Sequence, residues 1–472
     1  MIFKKSRNYS VILLLIFVMT LLPIAKAEAV PLVSSAKVDI VQNTDPGQRI
    51  LIIVPHPDDE SLGTAGIIQK AVNLKRPIKV VIVTDGESSK MSAIAFTDNE
   101  NPMPHDFYEL GLERQKESMS AMAKLGLPKE DLIFLGFADG SIRFLWSDYW
   151  DNGKPRVSGG TQVAYSPYSN VYKPKIAYTG QNLENCLAEI MASFKPTDIY
   201  YPMADDMHPD HWGVSNFTRY TINALNLKVK EHMFLVHYPH WPSPWFMVSN
   251  KHESLLPPSD LKSSNTSWQS LPLDKNGEFN KEMAIRQYKS QMKVTAPFLL
   301  TFVRKNELFA VKAPIIVPKE TSKPNLSPMN ISHPLIVMNG GGLLNQRIHK
   351  SADIVKFTAF TYNNDLYLGL ESLGPISNKV LYNFELRLFY EKGIKRIDLS
   401  LVNGKLRQVR KASNSIVESV ITDHPIINKN TLWIKVKIPQ EESLRYMFMG
   451  ANVIYKNNLT DKVPWNIYKL EK

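Results

Sequence analysis

The chain has 472 residues, of which 44% are hydrophobic and 21% are charged, a globular composition in a length that exceeds one ordinary domain. The formal net charge is +11, but the basic residues are scattered rather than clustered, which argues against a nucleic-acid-binding groove. The only cysteine, Cys186, excludes an internal disulfide and is more typical of a core residue than of a nucleophile.

The first 27 residues have the pattern of a secretory signal peptide. Three basic residues within 4–7 precede an apolar run at 11–22, and Ala-Lys-Ala at 25–27 resembles a small-x-small cleavage site. The alternative is an uncleaved membrane anchor, because the run is short but strongly apolar. We expect cleavage, no membrane contact afterwards, and a secreted or cell-surface location. An exported protein without disulfides fits a bacterial exterior better than a eukaryotic secretory route.

Removal of residues 1–27 would take away four positive charges and leave a net charge of +7. Such an excess favours anionic polymers, of which the bacterial cell wall is one, through long-range attraction. Simple solubility explains the charge equally well. An anionic cell-wall partner is therefore suggested by the charge but not required by it.

From about residue 48, short apolar runs alternate with amphipathic stretches of helical period. This alternation predicts βαβ units and a Rossmann-like, mostly parallel sheet with helices on both faces. The predicted strands are 50–54, 80–84, 132–135, 198–201 and 233–238, and the predicted helices are 62–74, 111–125, 183–194 and 214–225.

Two aromatic-rich insertions, 141–180 and 239–275, interrupt this rhythm. Long segments without a clear period are often functional, and aromatic faces suit stacking on sugar rings. The alternative is that the aromatic side chains pack as small satellite cores.

The C-terminal third of the sequence has a different character. A proline-rich segment at 313–330 predicts a linker. Between 331 and 472, hydrophobic residues alternate at period two in several runs separated by turn signals, which predicts an all-β sandwich. Such a domain could bind carbohydrate, or it could only pack on the preceding domain. The clearest runs are 357–362, 366–370, 384–390 and 432–438.

A histidine and two adjacent carboxylates follow the first predicted strand, in the segment Pro55-His56-Pro57-Asp58-Asp59-Glu60. In open α/β sheets, ligands bind at the carboxyl ends of the strands. Neighbouring side chains of an extended loop point in opposite directions, so Asp58 and Asp59 need not share a role. One can hold a metal together with His56 while the other handles a proton.

A second cluster, Asp205-Asp206-Met207-His208-Pro209-Asp210-His211, follows the predicted strand at 198–201. The two loops converge if their strands are neighbours in one parallel sheet. Two histidines, one aspartate and a water suit a catalytic zinc, although such a set accepts other divalent ions. The remaining Asp58 and His208 would be free for acid–base chemistry.

Together the two motifs resemble the PIG-L (LmbE-like) family of zinc-dependent deacetylases, which remove acetyl from N-acetylglucosamine-type groups. Other segments agree in order, and the resemblance covers about residues 48–312, within a predicted domain at 38–312. The agreeing segments are Thr84-Asp85-Gly86-Glu87, Arg114-x-x-Glu117, Leu135-Gly136-Phe137-Ala138-Asp139-Gly140 and Tyr288-Lys289-Ser290-Gln291.

By position, the resemblance implies that zinc is bound by His56, Asp59 and His211. It implies that Asp58 is the general base for the zinc-bound water. His208 would be the protonated partner that steadies the oxyanion and then helps the amine to leave.

The resemblance also implies that Arg114 and Asp139 touch the sugar. We interpret Asp210 as a catalytic-site carboxylate that holds His208 or His211 in its tautomer. Glu60 begins a helix, where a carboxylate suits the helix dipole, and is interpreted as structural.

Further acidic and histidine residues lie near these motifs in the sequence. Asp206 could orient a ligand or could be a solvated charge. His237 and His240 could line the pocket but are not expected to be ligands.

The sequence therefore predicts an exported zinc N-deacetylase, a hydrolase of linear amides, acting on an amino-sugar glycan or glycoconjugate. One alternative is a catalytically weak cell-surface protein that binds glycan. A second alternative is a zinc amidohydrolase acting on a non-sugar amide.

Overall fold

A computed structural model describes most of the chain beyond residue 39, and the predicted signal peptide lies outside the described residues. The described residues are 40–43, 45–151, 153–243, 253–259, 261, 265–322, 326, 336–337, 349–408, 424–438 and 443–471. Within these ranges, no helix combines the length and hydrophobicity needed to cross a bilayer.

The N-terminal part is built on an eight-stranded sheet with the order β1-β7-β8-β6-β5-β2-β3-β4. The run β4-β3-β2-β5-β6 is parallel, whereas β8 is antiparallel to β6 and β7. This confirms the predicted mostly parallel sheet. The strands are β1 (Ile40–Gln42), β2 (Ile50–Val54), β3 (Ile78–Thr84), β4 (Leu132–Phe137), β5 (Asp198–Pro202), β6 (Lys230–Phe234), β7 (Thr266–Pro272) and β8 (Asn306–Lys312).

Within the described residues, eight α-helices connect or cover these strands. The first helix packs against β2 and β3, and the sixth packs against β5 and β2. The helices are α1 (Asp59–Asn73), α2 (Lys90–Thr97), α3 (Pro104–Lys124), α4 (Ile142–Trp146), α5 (Gly180–Phe194), α6 (Pro209–Ala224), α7 (Lys275–Ile285) and α8 (Lys289–Leu300).

The order of the strands reverses between β2 and β5. From β2 the chain proceeds to β3 and β4 on one side, and from β5 it proceeds to β6 on the other. Open α/β sheets bind their ligands in the crevice at such a switch point. The loops that follow β2 and β5 carry the two His/Asp motifs, so the topology brings the motifs together.

The C-terminal part, here called the β-domain, is a sandwich of a five-stranded sheet, β10-β11-β12-β17-β16, and a six-stranded sheet, β15-β14-β13-β18-β19-β9. Apolar side chains from both sheets form one buried core, which confirms the predicted β-sandwich. The strands are β9 (Ile315–Val317), β10 (Ile336–Val337), β11 (Ile354–Tyr362), β12 (Asp365–Ser372), β13 (Val380–Tyr390), β14 (Gly393–Val402), β15 (Lys405–Gln408), β16 (Ile426–Asn428), β17 (Thr431–Lys437), β18 (Leu444–Tyr455) and β19 (Asn458–Leu470).

The segment predicted as a linker, 313–330, differs from that prediction where it is described. Strand β9 lies inside it and pairs in parallel with β19 at the edge of the six-stranded sheet. Just beyond it, the backbone N–H of Thr361 donates to the carbonyl of Pro318 at 2.9 Å. Prolines are tolerated at an edge because one side of the strand needs no donor, which explains why a proline-rich segment forms part of the sandwich.

Candidate metal centre and active site

The three predicted metal ligands converge at the switch point. Asp59 is the first residue of α1, and its Oδ2 lies 3.2 Å from His56 Nδ1 and 3.2 Å from His211 Nε2. His211 lies in the first turn of α6. All three residues are buried. The adjacency of β2 and β5 thus places nitrogens of two histidines 3.2 Å from one carboxylate oxygen.

The second nitrogen of each of these histidines faces another carboxylate. His211 Nδ1 lies 3.2 Å from Asp206 Oδ2. His56 Nε2 lies 3.2 Å from Asp139 Oδ1 and 3.4 Å from Asp210 Oδ2. A carboxylate on the far nitrogen of a histidine is typical of metal sites, where it fixes the tautomer and orients the ring.

The residues present fit a zinc ion. Tetrahedral zinc with bonds of about 2.0–2.2 Å would separate its ligand atoms by roughly 3.3–3.6 Å, close to the two 3.2 Å contacts of Asp59. Among the described residues, neither nitrogen of buried His211 has a partner in hydrogen-bonding geometry. Three overlapping groups have ligand atoms close enough to hold an ion: His56, His208 and His211; Asp59, His211 and His237; and His56, Asp139 and Asp210. The predicted set of His56, Asp59 and His211 is not one of these groups, so its selection stays a prediction.

The electrostatics of the cluster are dominated by these close pairs. Burial opposes a charge on His211, but Asp206 and Asp59 outweigh it and raise its pKa to about 9. Burial likewise opposes the charge of Asp59, but His211 and His56 hold its pKa well below the usual range. The carboxylate is therefore ionised and ready to accept a cation.

Asp58, the predicted base, occupies a strained backbone position. Its φ is 117°, a conformation that favours glycine. Two contacts of Arg114 brace this segment: Nη2 donates to the carbonyl of Pro57 at 2.5 Å and lies 3.3 Å from Asp58 Oδ2. Burial and neighbouring Asp59 raise the pKa of Asp58 to about 8, although Arg114 partly offsets them. A carboxylate with that pKa can both accept and return a proton near neutral pH.

Glu60 supports Asp58 through the backbone. The N–H of Asp58 donates to Glu60 Oε2 at 3.0 Å, and the Tyr288 hydroxyl donates to Glu60 Oε1 at 2.7 Å. The Tyr288 hydroxyl also lies 2.9 Å from Ser61 Oγ. All of these groups except Asp58 are fully buried. The structural role interpreted for Glu60 is therefore specific, because its carboxylate holds the strained backbone of Asp58.

His208, the predicted acid, caps the N-terminus of α6. Its Nδ1 accepts a hydrogen bond from the backbone N–H of Asp210 at 3.2 Å, which leaves the proton of a neutral ring on Nε2. Burial and the positive neighbours His56 and His211 lower the pKa of His208 to about 4. This favours a neutral ring whose Nε2–H is a hydrogen-bond donor, and the protonated acid predicted from the sequence stays a prediction.

Asp210 differs from its interpretation as the carboxylate that holds His208 or His211. Its side chain accepts from the backbone N–H groups of Gly140, at 2.7 Å, and Ile142, at 3.0 Å, and it faces His56. The reason is helical geometry, because consecutive residues of α6 point about 100° apart. The carboxylate that faces His211 is Asp206.

Arg114 and Asp139, the predicted sugar contacts, both take supporting positions. Arg114 is 4% exposed and donates to the carbonyl of Gly86 at 2.6 Å as well as to the Asp58 turn. Asp139 has a side chain 12% exposed, faces His56 and accepts from the backbone N–H of Ser88 at 2.9 Å. Contact of either residue with a sugar stays a prediction.

Asp206 and His237 lie nearer to the predicted metal ligands than the sequence alone indicated. Asp206 accepts from the backbone N–H groups of Val236 and His237, each at 3.0 Å, and so joins the loop after β5 to the chain after β6. The ring of His237 lies 4.8 Å from that of His211. One sequence feature could have indicated both residues: each follows the end of a strand at or beside the switch point.

Within the first aromatic insertion, 141–180, the largest rings pack as core. Trp146, Tyr168 and Tyr178 are buried. Tyr168 stacks on Tyr108 of α3. These residues favour the satellite-core alternative over sugar stacking. The second insertion includes Trp245, which lies outside the described residues.

Comparison with known proteins identifies the family of this region. The PIG-L family, described as GlcNAc-PI de-N-acetylase, matches residues 51–222. Residues 51–222 form a PIG-L domain. The match spans β2 to α6 and contains both His/Asp motifs, which confirms the resemblance drawn from them.

Two bacterial relatives of this PIG-L domain have the same name, "Probable N-acetyl-alpha-D-glucosaminyl L-malate deacetylase 2". The protein of Bacillus subtilis (strain 168) is 33% identical over 188 residues, 39% of this chain and 63% of the relative. That of Bacillus cereus is 23% identical over 190 residues, 40% of this chain and 66% of the relative. The chain thus spans slightly less than two thirds of each relative.

Solved structures with some likeness include N,N'-diacetylchitobiose deacetylase from Pyrococcus horikoshii. It is 19% identical, with a TM-score of 0.34 over 56% of this chain and 84% of its own. Another is the A40926 pseudoaglycone deacetylase Dbv21, 15% identical, with a TM-score of 0.37 over 56% and 96%.

Proposed function

We propose that this protein is a zinc-dependent N-deacetylase that removes acetyl groups from an N-acetylglucosamine-type amino sugar in a glycan or glycoconjugate. The observation that carries the proposal is the placement of His56 and His211 on one oxygen of Asp59, beside Asp58 and His208. This arrangement supplies a ligand set, a base and a hydrogen-bond donor in one buried cluster of a PIG-L domain. The names of the Bacillus relatives support the class of substrate.

Zinc held by His56, Asp59 and His211 would polarise the amide carbonyl and lower the pKa of a nearby water. Asp58 then takes the proton from the attacking water. The Nε2–H of His208 donates to the carbonyl oxygen as negative charge develops there.

Collapse of the tetrahedral species requires a proton on the leaving nitrogen, because an unprotonated amine leaves poorly. We assign that proton to Asp58, whose pKa of about 8 lets it return what it accepted. The neutral ring of His208 is a weaker acid and remains a donor to the oxyanion. The water proton thus ends on the amine, and the products are acetate and the free amino sugar.

We also propose that the reaction occurs outside a bacterial cell. The support is the signal-peptide pattern of residues 1–27 and the net charge of +7 that would remain, which favours an anionic wall polymer. An anionic wall polymer rich in N-acetylated sugars would match both the extracellular location and the positive charge of the chain.

Acetate release tests the proposed activity. The purified protein with added zinc, incubated with N-acetylglucosamine oligomers or wall polymer, is expected to release acetate and leave a free amine visible by mass spectrometry. Asp58→Asn is the matched control, since it keeps the shape of the base and removes its charge. Glycan binding without acetate release would favour the binding-protein alternative, and acetate released only from non-sugar amides would favour the amidohydrolase.

A further inference from the structure

The β-domain contacts the loop that carries Asp206 and the short helix that follows the loop carrying Asp139, and these two carboxylates face the predicted ligand histidines. One loop, 203–208, connects β5 to α6 and contains Asp206, which faces His211. The other, 138–141, connects β4 to α4 and contains Asp139, which faces His56. The β-domain residues that make both contacts lie outside residues 51–222, the region that matches the PIG-L family.

Lys462 of β19 makes the contact with the first loop. Its Nζ donates to the carbonyl of Ala204 at 2.5 Å, and its ammonium group lies 5.8 Å from the ring centre of Trp212 in α6. Two residues further along the loop, the Asp206 side chain accepts from the backbone N–H of His208 at 2.9 Å. Lys462 therefore fixes the backbone that aims Asp206 at His211.

Trp146, at the end of α4, makes the second contact with the β-domain. It is 0% exposed, and its ring meets Trp465 of β19 edge to face at 5.0 Å. The guanidinium group of Arg387 lies 5.3 Å from the ring centre of Trp146 and 5.2 Å from that of Trp465. Arg396 Nη2 also donates to the carbonyl of Trp146 at 3.2 Å.

The short helix α4 transmits that contact to the cluster. The backbone N–H of its first residue, Ile142, and that of Gly140 both donate to the carboxylate of Asp210. Asp210 and Asp139 in turn face His56 Nε2. Both predicted ligand histidines thus face carboxylates whose loop or neighbouring helix is in contact with the β-domain.

We infer that the β-domain is a supporting part of the metal centre, with Lys462 as a positioning residue for Asp206 and His211. A separate glycan-binding module would need no buried tryptophan–arginine contact with the helix that follows an active-site loop. The inference rests on the metal-binding part of the proposed function, but not on its substrate.

Lys462→Met removes the ammonium donor and keeps most of the side-chain volume. We expect the zinc dissociation constant, measured by competition with a chromogenic chelator, to rise about tenfold, the lower end of the effect of removing an outer-sphere partner. Lys462→Arg keeps a donor and is expected to recover most of the affinity. Lys469→Met is the matched control: Lys469 is on the same strand but exposed, and its change should alter zinc affinity less than about twofold.

Circular dichroism and thermal unfolding of the zinc-free variants separate loss of positioning from loss of fold. Equal zinc affinity in Lys462→Met and the native chain would overturn the inference, as would an equal loss in Lys462→Met and Lys469→Met. A native chain that bound zinc but released no acetate would refute the proposed deacetylase and leave this test valid.

Discussion

Removing the Tyr288 hydroxyl tests whether the strained backbone of Asp58 is held in place by Glu60. In Tyr288→Phe, Glu60 Oε1 loses its 2.7 Å hydrogen bond and Ser61 Oγ loses its 2.9 Å contact, while the aromatic packing remains. Glu60 Oε2 would keep its bond to the Asp58 N–H, but the carboxylate would be free to rotate away from it.

The size of the effect follows from two comparable energies. Burial raises the pKa of Glu60 to about 7, so both its neutral and its charged form are populated near neutral pH. A hydrogen bond contributes about 0.5–1.5 kcal/mol to a neutral group and about 1.5–3 kcal/mol to a charged one, and a residue held in a sparsely populated backbone region costs roughly 1–3 kcal/mol. Loss of the Tyr288–Glu60 hydrogen bond therefore lets the strained backbone of Asp58 relax in a substantial fraction of molecules. We expect kcat to fall about tenfold, which corresponds to about 1.4 kcal/mol, with little change in KM or zinc content because the ligands are untouched.

The assay is steady-state acetate release, with zinc content measured on the same samples. Tyr382→Phe is the matched control, since that buried hydroxyl also makes two hydrogen bonds, to the Ser351 carbonyl at 2.8 Å and from the Ser377 N–H at 3.2 Å, but lies in the β-domain. Both variants should lose similar stability. An unchanged kcat in Tyr288→Phe, or an equal fall in Tyr382→Phe, would refute the positioning role of Glu60.

Three other predictions concern the cluster itself. Asp58→Asn should lower kcat by about 10²–10⁴-fold with zinc retained, and activity near the native level would contradict its role as the base. His211→Ala should lose zinc, as measured by elemental analysis, and full occupancy would contradict its role as a ligand. Zinc binding should tighten as pH rises towards about 9, because the zinc-free His211 holds a proton below its raised pKa and must release it to bind metal. Calorimetry in buffers of different ionisation enthalpy measures that proton, and binding without proton release at pH 7 would contradict the assignment.

The central strands were predictable from sequence because they are continuous apolar runs, and β2 coincides with its predicted bounds at 50–54. Strand β7 was missed because its sequence, Thr-Ser-Trp-Gln-Ser-Leu-Pro, is largely polar and sits outside the βαβ rhythm. Strand β9 was hidden by flanking prolines, which are compatible with an edge position that only the fold reveals.

Two helices begin earlier than their apolar period indicates. Helix α1 begins at Asp59 rather than residue 62, and α6 begins at Pro209 rather than residue 214. Their first turns carry Asp59 and His211, which are buried in the metal cluster rather than in an apolar core. Hydrophobic periodicity cannot detect a turn that is buried among charges.

The site was predictable as a convergence of two motifs, because each motif ends a strand and the two strands are neighbours. Which carboxylate pairs with which histidine was not predictable, because the pairing depends on the conformation of the loops. Asp210 adjoins His211 in sequence but faces His56, whereas Asp206 reaches His211 across the loop. The roles of Glu60 and Lys462 depend on Tyr288 and Ala204, which are more than two hundred residues away in each case.

Acetate release from N-acetylglucosamine oligomers, before and after removal of bound metal, tests whether the protein is a metal-dependent deacetylase. We expect release by the native protein, loss of release after chelation and recovery when zinc is returned, with Asp58→Asn inactive throughout. Absence of release from every N-acetylated sugar tried, or release that persists after complete removal of metal, would contradict it.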